Sequence, residues 1–355
     1  AGAASGSLMF CFVTLFVAML KEFSSYKHSQ PSNILSLVQN NVMHMNISLD
    51  GIRETVHNVS NNNFTGSVLH DAREAIQDNV TPDYILELCK DPFFITPAVL
   101  FSGLCTLFIY YKTAATIHHE FYVVRRHESA LWKIQPKFPP EDMWREEVYS
   151  GCMNSFFSGA LGTSLFIWHQ NSGIFKLHYT TGVYGLAHYF VSCVLVYFWI
   201  DFVSYWIHRA LHYKKIYKYI HKWHHRYKQP TAFGAYAMHP LEYLSYQIGG
   251  MFYAVIFPVH VMAFLTVAIW IAYHAQVDHS GVDFDGDLPW VPSSQFHDNH
   301  HEFFHLNYGF TMVLWDWMFG TLRQSDRRYA EDLFEGEQDI VPPVESCKQA
   351  KIKLT

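Results

Sequence analysis

The sequence predicts an all-α integral membrane protein, with transmembrane helices that carry a helical cap on one side of the bilayer. Three observations lead there. Half of the 355 residues are hydrophobic and only 16% are charged, which is more apolar and poorer in charge than an ordinary soluble domain. Apolar runs almost free of charge recur at 93–111, 149–168, 181–206 and 241–273, and such runs suit a bilayer core. Finally, 13 of the 23 histidines fall between His208 and His305. Most of these sit in clusters with helical spacing, just past the ends of those runs.

Taken in order, residues 1–20 contain the apolar run GSLMFCFVTLFVAML, which is short for a bilayer span. It reads as a signal anchor or a signal-peptide remnant. The anchor is favoured because no A-x-A-like cleavage site follows, and a start at Ala1 rather than Met fits a trimmed end. Residues 21–92 are polar and hold N-x-S/T sequons at Asn46, Asn58, Asn63 and Asn79, the pattern of a glycosylated lumenal segment. Residues 93–148 are expected to form a transmembrane helix from Phe93 to Tyr111 and a cytosolic linker. Lys112, Arg125, Arg126, Lys133 and Lys137 follow the helix and place the linker by the positive-inside rule. That agrees with sequons on the opposite side.

Residues 149–323 read as one domain built on two membrane hairpins. The first pairs 149–168, whose many Gly and Ser residues predict close helix packing, with 181–206 across a polar turn. The second, 241–273, is bent near Phe257-Pro258. Each hairpin leaves the cytosolic face and returns to it, so every histidine cluster lies on that face. Residues 324–355 form a polar, acidic tail ending KQAKIKLT. Its Lys351 and Lys353 have the spacing of a cytosolic dilysine retrieval signal, which predicts an endoplasmic reticulum membrane.

A net charge of −6 and a pI near 6.4 give no reason to expect nucleic acid as a partner. The six cysteines include no C-x-x-C pair and read as small buried hydrophobes, not as a disulfide or zinc framework.

The chemistry lies in the histidines. His208 and His212 are four apart; His221, His224 and His225 form H-x-x-H-H; His297, His300 and His301 repeat that spacing. Positions i, i+3 and i+4 share a helix face, so each cluster is expected to aim its imidazoles at one point. Eight such nitrogens exceed the needs of one ion and suit a di-metal centre. Imidazole accepts iron, zinc, copper and nickel alike. His279, in D-H-S-G, returns to the same face after the second hairpin and joins the ligand set. His239, His274 and His305 are candidates either as ligands or as partners behind a ligand. Carboxylates are expected to orient ligand N–H groups. Asp201, seven residues before His208, is the first candidate, with Asp278, Asp298 and Asp316 as others.

The stretches H-R-A-L-H, H-K-W-H-H and H-D-N-H-H resemble the three histidine boxes of the fatty acid hydroxylase/sterol desaturase superfamily. The similarity extends to Y-W-x-H-R at 205–209, H-P-L-E at 239–242, D-H-S-G at 278–281, N-Y-G at 307–309 and W-D-W-M-F-G-T at 315–321. These look like the sterol-acting branch of C4-methylsterol oxidases, C5-sterol desaturases and cholesterol 25-hydroxylases. The resemblance covers about 181–323 and leaves 1–92 outside. It implies a catalytic domain with a non-haem di-iron centre, although imidazole would also take zinc in isolated protein. It further implies O2 as oxidant, with electrons from cytochrome b5 and an NAD(P)H reductase. The activity expected is hydroxylation, oxidation or desaturation of a sterol-type lipid that enters from the bilayer among helices 149–206 and 241–273. Tyr197, Phe198, Trp199, Tyr205, Trp206 and Tyr243 suit flat sterol rings, and equally suit membrane-interface packing.

Two other readings stay open at this point. One is a hydroxylase of fatty acyl or alkylglycerol ether lipids from the same superfamily. The other is a histidine-rich metal-binding or transport membrane protein. Transporters place ligands at mid-bilayer. Here the clusters stand at helix ends among Arg209, Lys214, Lys215, Lys218, Lys222 and Arg226.

Overall fold

The computed structural model describes residues 89–178, 185–286, 288, 290–338 and 340. The N-terminal apolar run, the four sequons and the Lys351/Lys353 pair lie outside the described residues. The chain divides into two compact units. Among the described residues, the smaller comprises 89–100 together with Ser164–Ser172, and the larger comprises Phe101–Thr163 and the described chain from Gly173 on. Within the smaller unit, Asn171 donates to the Cys89 carbonyl at 3.1 Å. The larger unit holds all the histidine clusters.

Helices dominate, as predicted. α1 (Pro92–His118) runs past the expected end at Tyr111 and continues as a π-helical turn, His119–Val124. After a short α2 (Ser129–Trp132), α3 spans Glu141–Ser172 and opens on Glu141 and Asp142. Two acids in the first turn complement the positive end of the helix dipole; hydropathy alone placed this start at 149. α4 spans Gly185–Leu211. α7 (Pro240–Ile256) and α8 (Val261–Asp278) are separated at Phe257-Pro258, where proline breaks the backbone ladder.

Capping fixes both starts. The His239 side chain accepts from the Leu241 amide, and His260 does the same for Met262. The one sheet among the described residues lies just before α4 and between α7 and α8. β1 (Leu177–His178) pairs in parallel with β2 (Val259–His260), in the register Leu177↔Val259.

Among the described residues, three helices are long and apolar enough to cross a membrane: Phe93–Val124, Gly185–Leu211 and Val261–Asp278. They make this a multi-pass membrane protein. α7, at 17 residues, is shorter. It packs tightly on α4, because a Cβ at Gly249 would stand 2.7 Å from Val203 Cγ1 and 2.8 Å from Ile207 Cδ1. Close approach of this kind is what small residues permit between membrane helices.

The cap is built from short pieces: α5 (Lys214–Tyr217), α6 (Lys222–His225), a 3-10 turn at Ala232–Tyr236, α9 (Gln295–Phe303) and α10 (Leu314–Phe319). Gly281 lets the chain turn off α8. Its φ is +68°, and an added Cβ would meet Tyr122 Oη at 2.7 Å, so both conformation and space require glycine. Tyr122 in turn donates to the Ser280 carbonyl at 2.7 Å.

Candidate metal centre

Nine buried histidines converge in two groups, each able to hold a metal ion. His208, His212, His221, His225 and His300 form one, and His224, His279, His297 and His301 form the other. Within each group one nitrogen per ring lies within 4.8 Å of all the others. These nine are the residues that the sequence singled out as ligands.

Helical geometry decides who goes where. A step of four residues turns the helix by about 40° beyond a full turn, while a step of three falls about 60° short. Accordingly His208 and His212 stay together, as do His221 with His225 and His297 with His301. The i+3 histidines, His224 and His300, each cross to the other group. The sequence reading had each cluster aim at one point; instead α6 and α9 each serve both groups, in opposite senses. His279, at the C-terminal end of α8, completes the second group.

The outer nitrogens of four rings are held by backbone carbonyls, which can only accept. His208 Nδ1 donates to the Tyr308 carbonyl at 2.8 Å, His224 Nδ1 to Ala237 at 3.1 Å, His279 Nδ1 to Ala275 at 2.7 Å and His300 Nδ1 to Leu306 at 2.6 Å. His221 Nδ1 meets the Glu242 carboxylate at 2.6 Å. A neutral imidazole carries one proton, so the Nε2 atoms of the four carbonyl-held rings present bare lone pairs. His208 Nε2 stands 3.0 Å from His221 Nε2, and the bare Nε2 atoms of His224 and His279 face one another at 3.2 Å. With no proton between them they repel. His300 Nε2 and both nitrogens of His301 are buried with no hydrogen-bond partner. Orphaned buried polar atoms of this kind are costly. A shared cation removes both difficulties, since two nitrogens each about 2.1 Å from one ion stand about 3 Å apart. The donor set fits a metal.

Burial pushes the imidazoles of His212, His221, His225, His279, His297, His300 and His301 well below the ordinary histidine range, with neighbouring imidazoles acting in the same direction. Burial brings His224 down to about 4. The rings are therefore neutral near pH 7, the state in which imidazole ligates.

Comparison with known proteins agrees with this geometry. The family model described as Fatty acid hydroxylase matches residues 193–321. Human lathosterol oxidase is 32% identical over 261 residues, covering 69% of this chain and 83% of that protein. The chain belongs to the fatty acid hydroxylase family. Mouse lathosterol oxidase is 30% identical over the same shares, and a Delta(7)-sterol 5(6)-desaturase of Gibberella zeae is 32% identical over 47% of this chain and 48% of its own. No solved structure matches significantly. The chain is thus a membrane oxidoreductase with a histidine metal centre, and all nine histidines fall inside the family match.

Family membership leaves the outer residues to be settled by geometry. His305 is not in either group; its Nδ1 stands 2.9 Å from Nδ1 of His212. His239 caps α7 and its ring lies 6.0 Å from Trp223, away from both groups. His274 is buried against Trp270 at 4.1 Å. With Asp278 it lines a separate cavity of about 60 Å³.

Asp201 orients no imidazole. Its carboxylate accepts from the Thr311 amide and hydroxyl at 2.8 and 2.7 Å and from Trp315 Nε1 at 2.7 Å, so it braces the loop that carries Tyr308. Asp316 braces the same loop through the amides of Tyr308 and Gly309. Asp298 accepts from Gln135 at 3.0 Å.

The carboxylate that does meet a ring, Glu242, was missed. It lies in the quoted H-P-L-E, and the available signal was a lone acid opening an apolar helix. Three of the aromatics that suit sterol rings and interface packing alike hold hydrogen bonds within the protein. Tyr205 Oη pairs with Thr321, Tyr197 Oη donates to the Thr311 carbonyl and Trp199 Nε1 to that of Gly249.

Proposed function

We propose that the nine histidines hold two iron ions and that the enzyme introduces a double bond into the ring system of a sterol. His208, His212, His221, His225 and His300 would hold one ion, and His224, His279, His297 and His301 the other. The observation that carries this reading is the convergence of the nine buried imidazoles in two groups, with proton-free Nε2 atoms of His224 and His279 facing one another. The relatives named lathosterol oxidase and Delta(7)-sterol 5(6)-desaturase favour a sterol over fatty acyl or ether lipids, and desaturation over hydroxylation.

Iron in this centre would supply the activation of O2 for removal of two hydrogens from adjacent carbons. The reaction balances as substrate, O2, two electrons and two protons giving alkene and two waters. The protein's own part is positional. Four backbone carbonyls and Glu242 fix the ring orientations, and burial of all nine histidines keeps water out. Phe310 stands 5.6 Å from His208 and 6.4 Å from His297, with Tyr246 5.2 Å behind it and one turn along α7 from Glu242. This aromatic pair is where the reacting carbons would be presented.

Electrons would come from cytochrome b5 or its NAD(P)H reductase, at the cap's Lys and Arg surface. In this reading the protein lies in the endoplasmic reticulum membrane with the centre on the cytosolic face, and 21–92 is a glycosylated lumenal segment.

The test is expression in cells that supply cytochrome b5, with sterols and lipids followed by mass spectrometry. A sterol gaining one double bond is expected in an O2-dependent manner, and its loss in His224→Ala. Altered acyl or ether lipids with unchanged sterols would overturn the substrate assignment. Unchanged product in His224→Ala would overturn the centre.

A further inference from the structure

Among the five-histidine group, His212 lacks the usual arrangement. No carbonyl or carboxylate faces its Nδ1; His305 does, at 2.9 Å. The other nitrogen of His305, Nε2, stands 2.9 Å from the backbone carbonyl of Glu331. A carbonyl can only accept, so His305 donates from Nε2 and turns a bare Nδ1 toward His212. His212 must then donate from Nδ1, which leaves its Nε2 lone pair facing the group. Tautomer choice passes from the tail through two rings.

The tail segment is held for this purpose by more than one contact. Arg209 pairs with Glu335 through both carboxylate oxygens. Lys222 and Lys228 meet Glu331 at 2.7 and 3.5 Å, and Lys214 meets Glu337 at 3.4 Å. Phe334 packs on the His305 ring at 4.2 Å, and Lys214 Nζ lies 5.1 Å from the Phe334 centroid. Single exposed ion pairs contribute about 0–1 kcal/mol, but here several fix one short segment around a buried aromatic contact. The segment itself lies beyond the family match, which ends at residue 321.

We propose that residues 331–337 form a clasp that positions the metal centre, and that His305 is the positioning residue which transmits the Glu331 carbonyl to His212. This rests on the reading of the nine histidines as metal ligands. The clasp makes the tail part of the site, although it touches neither ion nor substrate.

The experiment compares full-length protein with His305→Phe, His305→Gln and a chain ended after Ala330. Each is titrated with cobalt, following stoichiometry and the visible spectrum. Phe keeps the packing on Phe334 but offers no polar atom. Gln keeps an acceptor and a donor in one planar group. Removing a partner behind a ligand typically costs about 10–100-fold in metal affinity. That loss is expected for one of two ions in His305→Phe and in the shortened chain, with the second ion retained as evidence of folding. His305→Gln is expected to restore binding and spectrum.

Two ions bound with unchanged affinity and spectrum in His305→Phe overturn the clasp alone. So does a His305→Gln variant as defective as His305→Phe. Should His305→Phe fail to fold, the shortened chain decides on the same measurements. A full-length protein that binds no ion overturns the metal reading itself.

Discussion

Glu242 Oε1 stands 2.6 Å from His221 Nδ1, and both side chains are almost wholly enclosed, with 1% exposure each. Among the described residues of the two groups, this is the one outer nitrogen held by a carboxylate; the others with a backbone partner meet carbonyls. Burial pushes the Glu242 carboxyl well above the usual carboxylate range, so its ionised form depends on positive charge at the ring it holds. Replacing Glu242 by Leu leaves a buried N–H unpaired, which costs about 1–3 kcal/mol. It should also weaken metal binding by about 10–100-fold. Glu242→Gln keeps an acceptor oxygen and should lie between Leu and wild type. Metal per chain and thermal unfolding in detergent check this; a Leu variant with full metal content refutes it.

The division of the histidines into five and four predicts which ion each substitution touches. His225→Ala should weaken binding of the ion in the first group and spare the other, and neighbouring His224→Ala should do the reverse. The second group keeps only three ligands in His224→Ala against four in the first group of His225→Ala, so a metal titration is expected to show the larger loss in His224→Ala. The double variant should show both losses.

Metal-free protein should lose stability in mild acid. His224 has a folded value near 4 against an ordinary 6.5. Between those values the unfolded chain binds more protons than the folded one, so stability falls as pH falls. Each such histidine contributes about 1.4 kcal/mol per pH unit. The loss begins below about pH 6.5 and levels off, for His224, near pH 4. Unfolding temperatures measured from pH 6.5 to pH 5 after chelation should decline, since the buried histidines outnumber Glu147, whose carboxyl burial raises to about 8 and which acts in the opposite sense. A rise toward acid would contradict the buried neutral rings.

Asp201 and His239 should behave differently from one another, although both were candidates for the centre. Asp201 accepts three hydrogen bonds inside the protein, and bonds to a charged acceptor are worth about 1.5–3 kcal/mol each. Asp201→Ala should therefore destabilise by more than about 3 kcal/mol and loosen the Tyr308 carbonyl behind His208. His239→Ala removes a helix cap, a loss of about 1 kcal/mol, and should leave metal content unchanged. Equal effects of the two substitutions would refute this assignment.

Local spacing explains what the sequence disclosed. His208 with His212, and the two H-x-x-H-H stretches, carry their geometry within a few residues of one helix, so their role was legible before any fold. The bend at Phe257-Pro258 was legible for the same reason. The residues that went unread depend on contacts distant in sequence. Asp201 does share a face with His208, but its carboxylate is taken by Thr311 and Trp315, more than a hundred positions away. Glu242 reaches His221 only because α7 folds back against the cap. The tail at 331–337 is polar and unpatterned, and only its ion pairs with Arg209, Lys214, Lys222 and Lys228 give it a place.

The crossing of His224 and His300 has a mechanical consequence. His224 and His225 are chain neighbours and serve different groups, as do His300 and His301. Consecutive Cα atoms are about 3.8 Å apart across a trans peptide. Covalent bonds thus limit the separation of the two groups at two places. A change in bilayer thickness or helix tilt that moves α4, carrying His208, against α8, with His279 at its C-terminal end, is resisted at the centre by these two links.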